Sequence, residues 1–202
     1  MSAAASFRTE KDLLGTLDVP AEAYYGIQTL RAVHNFRLTG VPLAHFPKLV
    51  VALAMVKQAA ADANHQLGHL DDAKHAAISQ ACARLVRGEF HEQFVVDMIQ
   101  GGAGTSTNMN ANEVIANVAL EAMGHRKGEY QYCNPNDHVN FGQSTNDMYP
   151  TAFRLALIMR LGTYTDALTK LQEAFYAKGR EFTKVLKMGR THLQDAVPMS
   201  LG

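Results

Sequence analysis

Residues 149–182 read YPTAFRLALIMRLGTYTDALTKLQEAFYAKGREF, and within them Leu157, Leu161, Tyr164, Leu168, Leu171, Phe175 and Phe182 recur at near-heptad spacing. Steps of three and four residues place apolar side chains on one helical face, and a sustained 3.5-residue repeat predicts left-handed packing in a helix bundle. About 36 helical residues would span roughly 54 Å. A helix of that length has little to pack on within 202 residues, with Gly162 and Gly179 as its weak points. No run of alternating β-branched and polar residues is long enough for a substantial sheet, so the fold class is mainly α.

Directly before this helix, Asn134–Asp147 reads NPNDHVNFGQSTND. Ser144, Thr145, Asn146 and Asp147 are helix-capping types, and Pro150 is tolerated in a first helical turn. Gln143 to Asn146 therefore sit at a helix mouth. Free backbone N–H groups, the positive end of the helix dipole, hydroxyls and an amide would meet there, which outlines an anion site.

Farther out, Leu49, Leu53, Val56, Ala60, Ala63 and Leu67 form the seam of an amphipathic helix that starts at Pro47 and ends at Gly68. Asp71-Asp72 caps a second helix with a buried stripe of Ile78, Ala81, Cys82 and Leu85. A third runs from about Ser106 to Met123, with Val114, Ile115, Val118, Ala119, Ala122 and Met123 inward and Gly124 as its stop. Glycines and prolines at short intervals make residues 1–46 mostly loops and short elements, with one helical turn at Pro20–Gly26. At the other end the sequence closes on a second polar cluster, Thr191-His192-Leu193-Gln194-Asp195, with no helix after it. That reads as a truncated protein.

Composition narrows the function. Hydrophobic residues make up 47% and charged ones 19% of the chain, and 19 basic residues balance 19 acidic ones without a basic stripe, which argues against disorder and nucleic-acid binding. Charged residues or His interrupt every apolar run, so no membrane span is expected. The opening MSAAASFRTEKD lacks a signal-peptide core. Cys82 and Cys133 stand outside any CxxC spacing and read as reduced, partly buried thiols.

A third polar cluster, Gly101–Asn112, joins a glycine loop to the hydroxyls of Thr105, Ser106 and Thr107 at a helix start. It is neither a P-loop nor GxGxxG, and alone it reads as a glycine hinge with an ordinary N-cap. Asn108 and Asn112, four apart, share a helical face and hint at a polar lining. In the Thr191–Asp195 cluster His192 is the residue of a type that titrates near neutrality, and alone it reads as a structural hydrogen bonder. GxSxG and HExxH are absent, which removes hydrolase and zinc-protease readings. Together the clusters supply hydroxyls, amides, helix N-termini and imidazole, a set suited to holding carboxylates.

Four separated stretches resemble the aspartase/fumarase superfamily: GAGTSTNMN at 102–110, NPNDHVN at 134–140, QSTND at 143–147 and GRTHLQDA at 189–196. EKDLLG at 10–15, Val19-Pro20-Ala21 and Tyr24-Tyr25-Gly26 do so as well, and the resemblance covers essentially the whole chain in order. Fumarases usually carry Gly-Thr-Gln-Ser at 104–107, two Ser at 144–145 and His at 134, and all three differences favour the aspartate ammonia-lyase branch. Relatives often place Lys where Phe141-Gly142 stands.

The resemblance implies an N-terminal lyase domain at 1–140, then the start of a central helical-bundle domain at 141–202, the rest being absent. It implies a cytoplasmic homotetramer with active sites shared among three subunits, acting on a small dicarboxylate. The reaction would be reversible anti elimination of ammonia from L-aspartate to give fumarate, with no organic cofactor and, in some relatives, activation by a divalent cation. Thr105, Ser144 and Thr145 would hold the side-chain carboxylate, Asn146 and His192 would lie near the amino group, and Thr191 near the α-carboxylate. The family's Ser base and substrate-binding Lys and Asn would lie beyond Gly202, leaving His192 as the one titrating catalytic candidate. Fumarate hydratase, another superfamily lyase, and a noncatalytic assembly module are the alternatives, and these 202 residues alone are expected to be inactive.

Overall fold

The computed structural model describes residues 6–202. The first five residues of the opening stretch, read above as lacking a signal-peptide core, lie outside the described residues. Among the described residues the fold is mainly α, with four short strands paired as two separate antiparallel hairpins.

Strands β1, Phe7–Asp12, and β2, Gly15–Pro20, make the first hairpin, with Asp12 opposite Gly15. The segment after it is not the helical turn expected at Pro20–Gly26. Arg8 explains the difference: its guanidinium donates to the carbonyls of Pro20 (3.0 Å), Ala21 (3.2 Å), Ala23 (2.7 Å) and Tyr25 (2.7 Å). Carbonyls turned toward one cation cannot line up along a helix axis. Helix α1, Ile27–Asn35, begins only after Gly26 and has no side-chain cap of its own.

Helices α2, Pro47–Gln66, and α3, Asp72–Val86, form an α-hairpin. Asp71 caps α3 by accepting from the Lys74 N–H at 2.8 Å, and the expected stripe of Ile78, Ala81, Cys82 and Leu85 is buried. The face of α2 differs from expectation. Its buried residues include Val50, Leu53, Ala54, Lys57, Ala61 and Asn64, whereas Leu67 is 70% exposed. The polar members go inward because the 140–143 segment meets them with acceptors: Lys57 Nζ reaches Asn140 Oδ1 at 2.8 Å, and Asn64 Nδ2 reaches the Phe141 carbonyl at 2.9 Å.

Helix α4, Thr105–Ala122, is the centre of the packing, buried on every side from Asn110 to Leu120 and in contact with α1, α2 and α3. Gly124, at φ +81°, ends it where expected. Both cysteines are free and buried.

Helix α5, Thr145–Glu181, is a single element of 37 residues, about 55 Å long. The chain forms two compact units, one reaching Leu157 and the other comprising Ile158–Gly202. The second unit holds the later turns of α5 and a hairpin of β3, Leu186–Thr191, and β4, Gln194–Ser200. Leu161, Tyr164, Leu168, Leu171 and Phe175 of the heptad stripe are all exposed, Phe175 to 70%. No helix among the described residues is long and apolar enough to cross a membrane.

Candidate functional site

Two helix mouths meet in the first unit. The entry to α4 turns through Gly102 (φ +76°) and Gly104 (φ +90°), and a Cβ on Gly104 would lie 2.4–2.7 Å from the Tyr149 ring of α5. Glycine supplies both the left-handed turn and the space for that contact. Gln100 completes the entry, its Oε1 accepting the Thr107 N–H at 2.8 Å and its Nε2 donating to the Thr107 hydroxyl at 2.8 Å. Thr105 stands exposed in the first turn.

The entry to α5 starts with a π-helical turn, Pro135–Val139. Asn134 Oδ1 caps it by accepting from the N–H groups of Asn136 (2.8 Å) and Asp137 (3.1 Å), and the Asn134 N–H donates to His138 Nδ1 at 2.8 Å. An imidazole that accepts at Nδ1 is neutral with its proton on Nε2. Burial, reinforced by the Lys74 charge, pushes the His138 pKa down in the same sense. Ser144 then caps α5, its Oγ accepting from the Asn146 N–H at 3.2 Å. Pro150 falls in the second turn of the helix, not the first. Having no N–H, it leaves the Asn146 carbonyl without its α-helical donor.

Beneath these mouths lies a polar chain. Lys57 is fully buried, and its Nζ donates to Asn140 Oδ1 (2.8 Å) and Gln143 Oε1 (2.9 Å). Asn108 Nδ2 donates to the same Asn140 Oδ1 at 3.1 Å and to Thr145 Oγ1 at 3.1 Å. Burial pushes the Lys57 ammonium down to about 7. The amide oxygens satisfy its donors where water does not reach. An open cleft of about 430 Å³ lies between the glycine loop and the start of α5, lined by Gln100, Gly102, Gly104, Asn146, Tyr149 and Pro150 among others.

Thr191 and His192 belong to the second unit. Thr191 ends β3, and His192 (φ +52°) and Leu193 (φ +61°) form the two-residue turn into β4. Both torsions are left-handed, as in the type I′ hairpin turn that favours Asn-Gly. Arg190 pairs with Asp195 across the tip at 3.0 Å.

Of the residues singled out from sequence, the first unit therefore gathers Thr105 with Ser144, Thr145 and Asn146 at adjoining helix starts, while Thr191 and His192 occur together at a hairpin tip. Gln143 stands at the helix mouth as expected, whereas sequence reading missed Lys57 and the part that Asn140 plays in the first group. The one available signal was Asn64 seven residues after Lys57, two polar side chains on one face of an otherwise apolar helix.

A family model described as "Lyase" matches residues 15–202. The chain belongs to this lyase family, that of the aspartase/fumarase superfamily. An aspartate ammonia-lyase of Pseudomonas aeruginosa is 76% identical over all 202 residues, and that of Escherichia coli K12 is 54% identical over 198. A solved fumarate lyase:delta crystallin from Brucella melitensis matches 97% of this chain at 60% identity and a TM-score of 0.86. A class II fumarase from Schistosoma mansoni matches 97% at 40% identity and a TM-score of 0.81. The chain spans 43% of the P. aeruginosa relative, 41% of the E. coli one, and 43% and 41% of the two solved chains.

Proposed function

We propose that the lyase of which this chain is a part is an aspartate ammonia-lyase, converting L-aspartate reversibly to fumarate and ammonia. The observation that carries the reading is the meeting of two helix N-termini, one bearing the Thr105 hydroxyl and the other those of Ser144 and Thr145. In an anti elimination a base removes a proton from the carbon beside the side-chain carboxylate. Charge builds on that carboxylate before the C–N bond breaks, the electron pair forms the new double bond, and ammonia departs. Donors aimed at that carboxylate in advance stabilise the developing charge, each at about 3 kcal/mol.

In this reading Thr105, Ser144 and Thr145 hold the side-chain carboxylate, Asn146 and His192 lie near the amino group, and Thr191 lies near the α-carboxylate. The serine base and further substrate-binding groups come from sequence beyond these 202 residues, so the isolated chain is expected to be inactive. The reaction needs no organic cofactor, and activation by a divalent cation is a separate question for assay. The exposed stripe on α5 supports a homotetramer with shared sites, the domain division at 140/141 follows the family pattern, and a cytoplasmic location completes the reading. The likeness to a class II fumarase makes fumarate hydration the competing activity. Incubation of the full-length protein with L-aspartate should yield fumarate and ammonia in equal amounts; malate formed from fumarate without ammonia addition would establish the hydratase instead.

A further inference from the structure

We propose that Asn108 is a positioning residue that fixes the direction of the Thr145 hydroxyl, presenting its proton to the ligand. The inference rests on the reading of Thr145 as a carboxylate donor. Its basis is the polarity of the chain Lys57–Asn140–Asn108–Thr145. A lysine amine side chain bound to protein through its hydrogens acts as a donor, and both Lys57 hydrogen bonds run from Nζ to amide oxygens. Asn140 must therefore turn its oxygen toward Lys57, an orientation its Nδ2 supports by donating to the Gln143 carbonyl at 3.1 Å.

With that oxygen committed as an acceptor, Asn108 must present its NH₂ group, since two amide oxygens facing each other would repel. One hydrogen of Asn108 Nδ2 meets Asn140 and the other meets Thr145 Oγ1, both at 3.1 Å. Asn108 is 1% exposed, so water does not compete for these positions. A hydroxyl that accepts on this side must direct its own proton elsewhere. Among the described residues the Thr145 hydroxyl donates to no protein group, unlike Thr151, Thr165 and Thr169 of the same helix, whose hydroxyls donate to carbonyls one turn back. The free proton is thus held available for an anion at the helix mouth, so that the hydroxyl need not reorient when the anion binds.

The test is a double-mutant cycle in the full-length enzyme, reading the dissociation constant of succinate, a non-reacting dicarboxylate, by calorimetry, together with KM and kcat for L-aspartate. Thr145→Val should weaken succinate binding about 10- to 100-fold, the range for a hydrogen bond to a charged group. Asn108→Leu should weaken it about 5- to 10-fold in the wild-type and Thr145→Ser backgrounds, where a hydroxyl remains, and less than twofold in Thr145→Val. The loss in the Asn108 variant should fall on KM and kcat together, because the donor holds the carboxylate in the ground state and holds it more strongly as charge builds there in the transition state. Should Asn108→Leu not fold, Asn108→Ser, smaller and still polar, runs the same cycle. An equal cost of the Asn108 change in all three backgrounds would mean that Asn108 acts through packing alone, and would overturn the proposal while leaving the carboxylate site intact. Unchanged succinate binding in Thr145→Val would overturn the site reading, and the positioning role with it.

Discussion

Glu113, in the middle of α4, accepts the backbone N–H of Gly26 at 2.8 Å across 87 residues of sequence. The same carboxylate takes the N–H of Gln28 (2.9 Å) and Thr29 (3.0 Å), while Glu10 takes that of Ile27 at 2.9 Å. Two carboxylates thus satisfy the N–H groups with which α1 begins, a task usually left to a local capping residue. Glu113→Gln keeps one acceptor oxygen and turns an NH₂ group toward backbone N–H. It should cost about 2–3 kcal/mol, the penalty for leaving a buried donor unsatisfied. Urea unfolding of the two proteins compares them; coincident midpoints would contradict the capping role.

Lys57 gives stability a pH dependence of known sign. Burial lowers its pKa from 10.5 to about 7. Between those values the unfolded chain binds a proton that the folded chain has released, so stability rises with pH over that window. Lys57→Met has no such proton. The wild-type melting temperature, measured against that of Lys57→Met, should climb as pH goes from 7 toward 10, and a constant difference across that range would show that Lys57 keeps an ordinary pKa.

Asp97 should act in the opposite pH range. Its carboxylate accepts from the N–H groups of Leu38, Thr39, Gly40 and Ile99 and from the Thr39 hydroxyl, at 2.7–3.1 Å. Burial acts to raise its pKa, but the hydrogen bonds from Ile99, Thr39 and Gly40 outweigh it and hold the carboxyl well below the usual carboxylate range. A carboxyl depressed in the fold stabilises it above its unfolded pKa, and that contribution fades as pH falls through the folded value. Asp97→Asn should lower the melting temperature at pH 7, with the gap closing on acidification toward pH 2. Parallel melting curves at every pH would rule this out.

Gly104→Ala tests the joint between the two helix mouths. The new methyl would lie 2.4–2.7 Å from the Tyr149 ring on a backbone at φ +90°. Strain and overpacking each cost about 1–2 kcal/mol, and the two should add. In the full-length enzyme KM for L-aspartate should also rise, because separating the helices moves Thr105 away from Thr145. Full stability in the variant would mean that the contact relaxes freely.

Legibility in the sequence followed the range of the forces. The heptad stripe gave α5 to within a turn, and Asp71 with the stripe from Ile78 to Leu85 gave α3, because periodicity and capping act over a few residues. Helix α1 escapes local signals because its cap lies at Glu113 and Glu10, and Pro20–Gly26 departs from the expected helical turn because Arg8 draws its carbonyls aside. The buried face of α2 was misplaced for a similar reason. A lysine is usually a surface residue, and only the amide oxygens of Asn140 and Gln143 make its burial tolerable. In the candidate site the hydroxyls at helix starts were readable as types, whereas the chain of polar side chains that reaches Thr145 depends on contacts up to 86 residues apart.

Full burial also makes Lys57 a reporter of how the first unit opens. It is the one fully buried lysine among the described residues, so an amine-acylating reagent reaches it only when α2 parts from the 140–143 segment. Surface lysines react in the closed protein and exhaust the fast phase. Modification of Lys57, followed peptide by peptide in a mass spectrometer, would therefore time the opening of the floor beneath the two helix mouths.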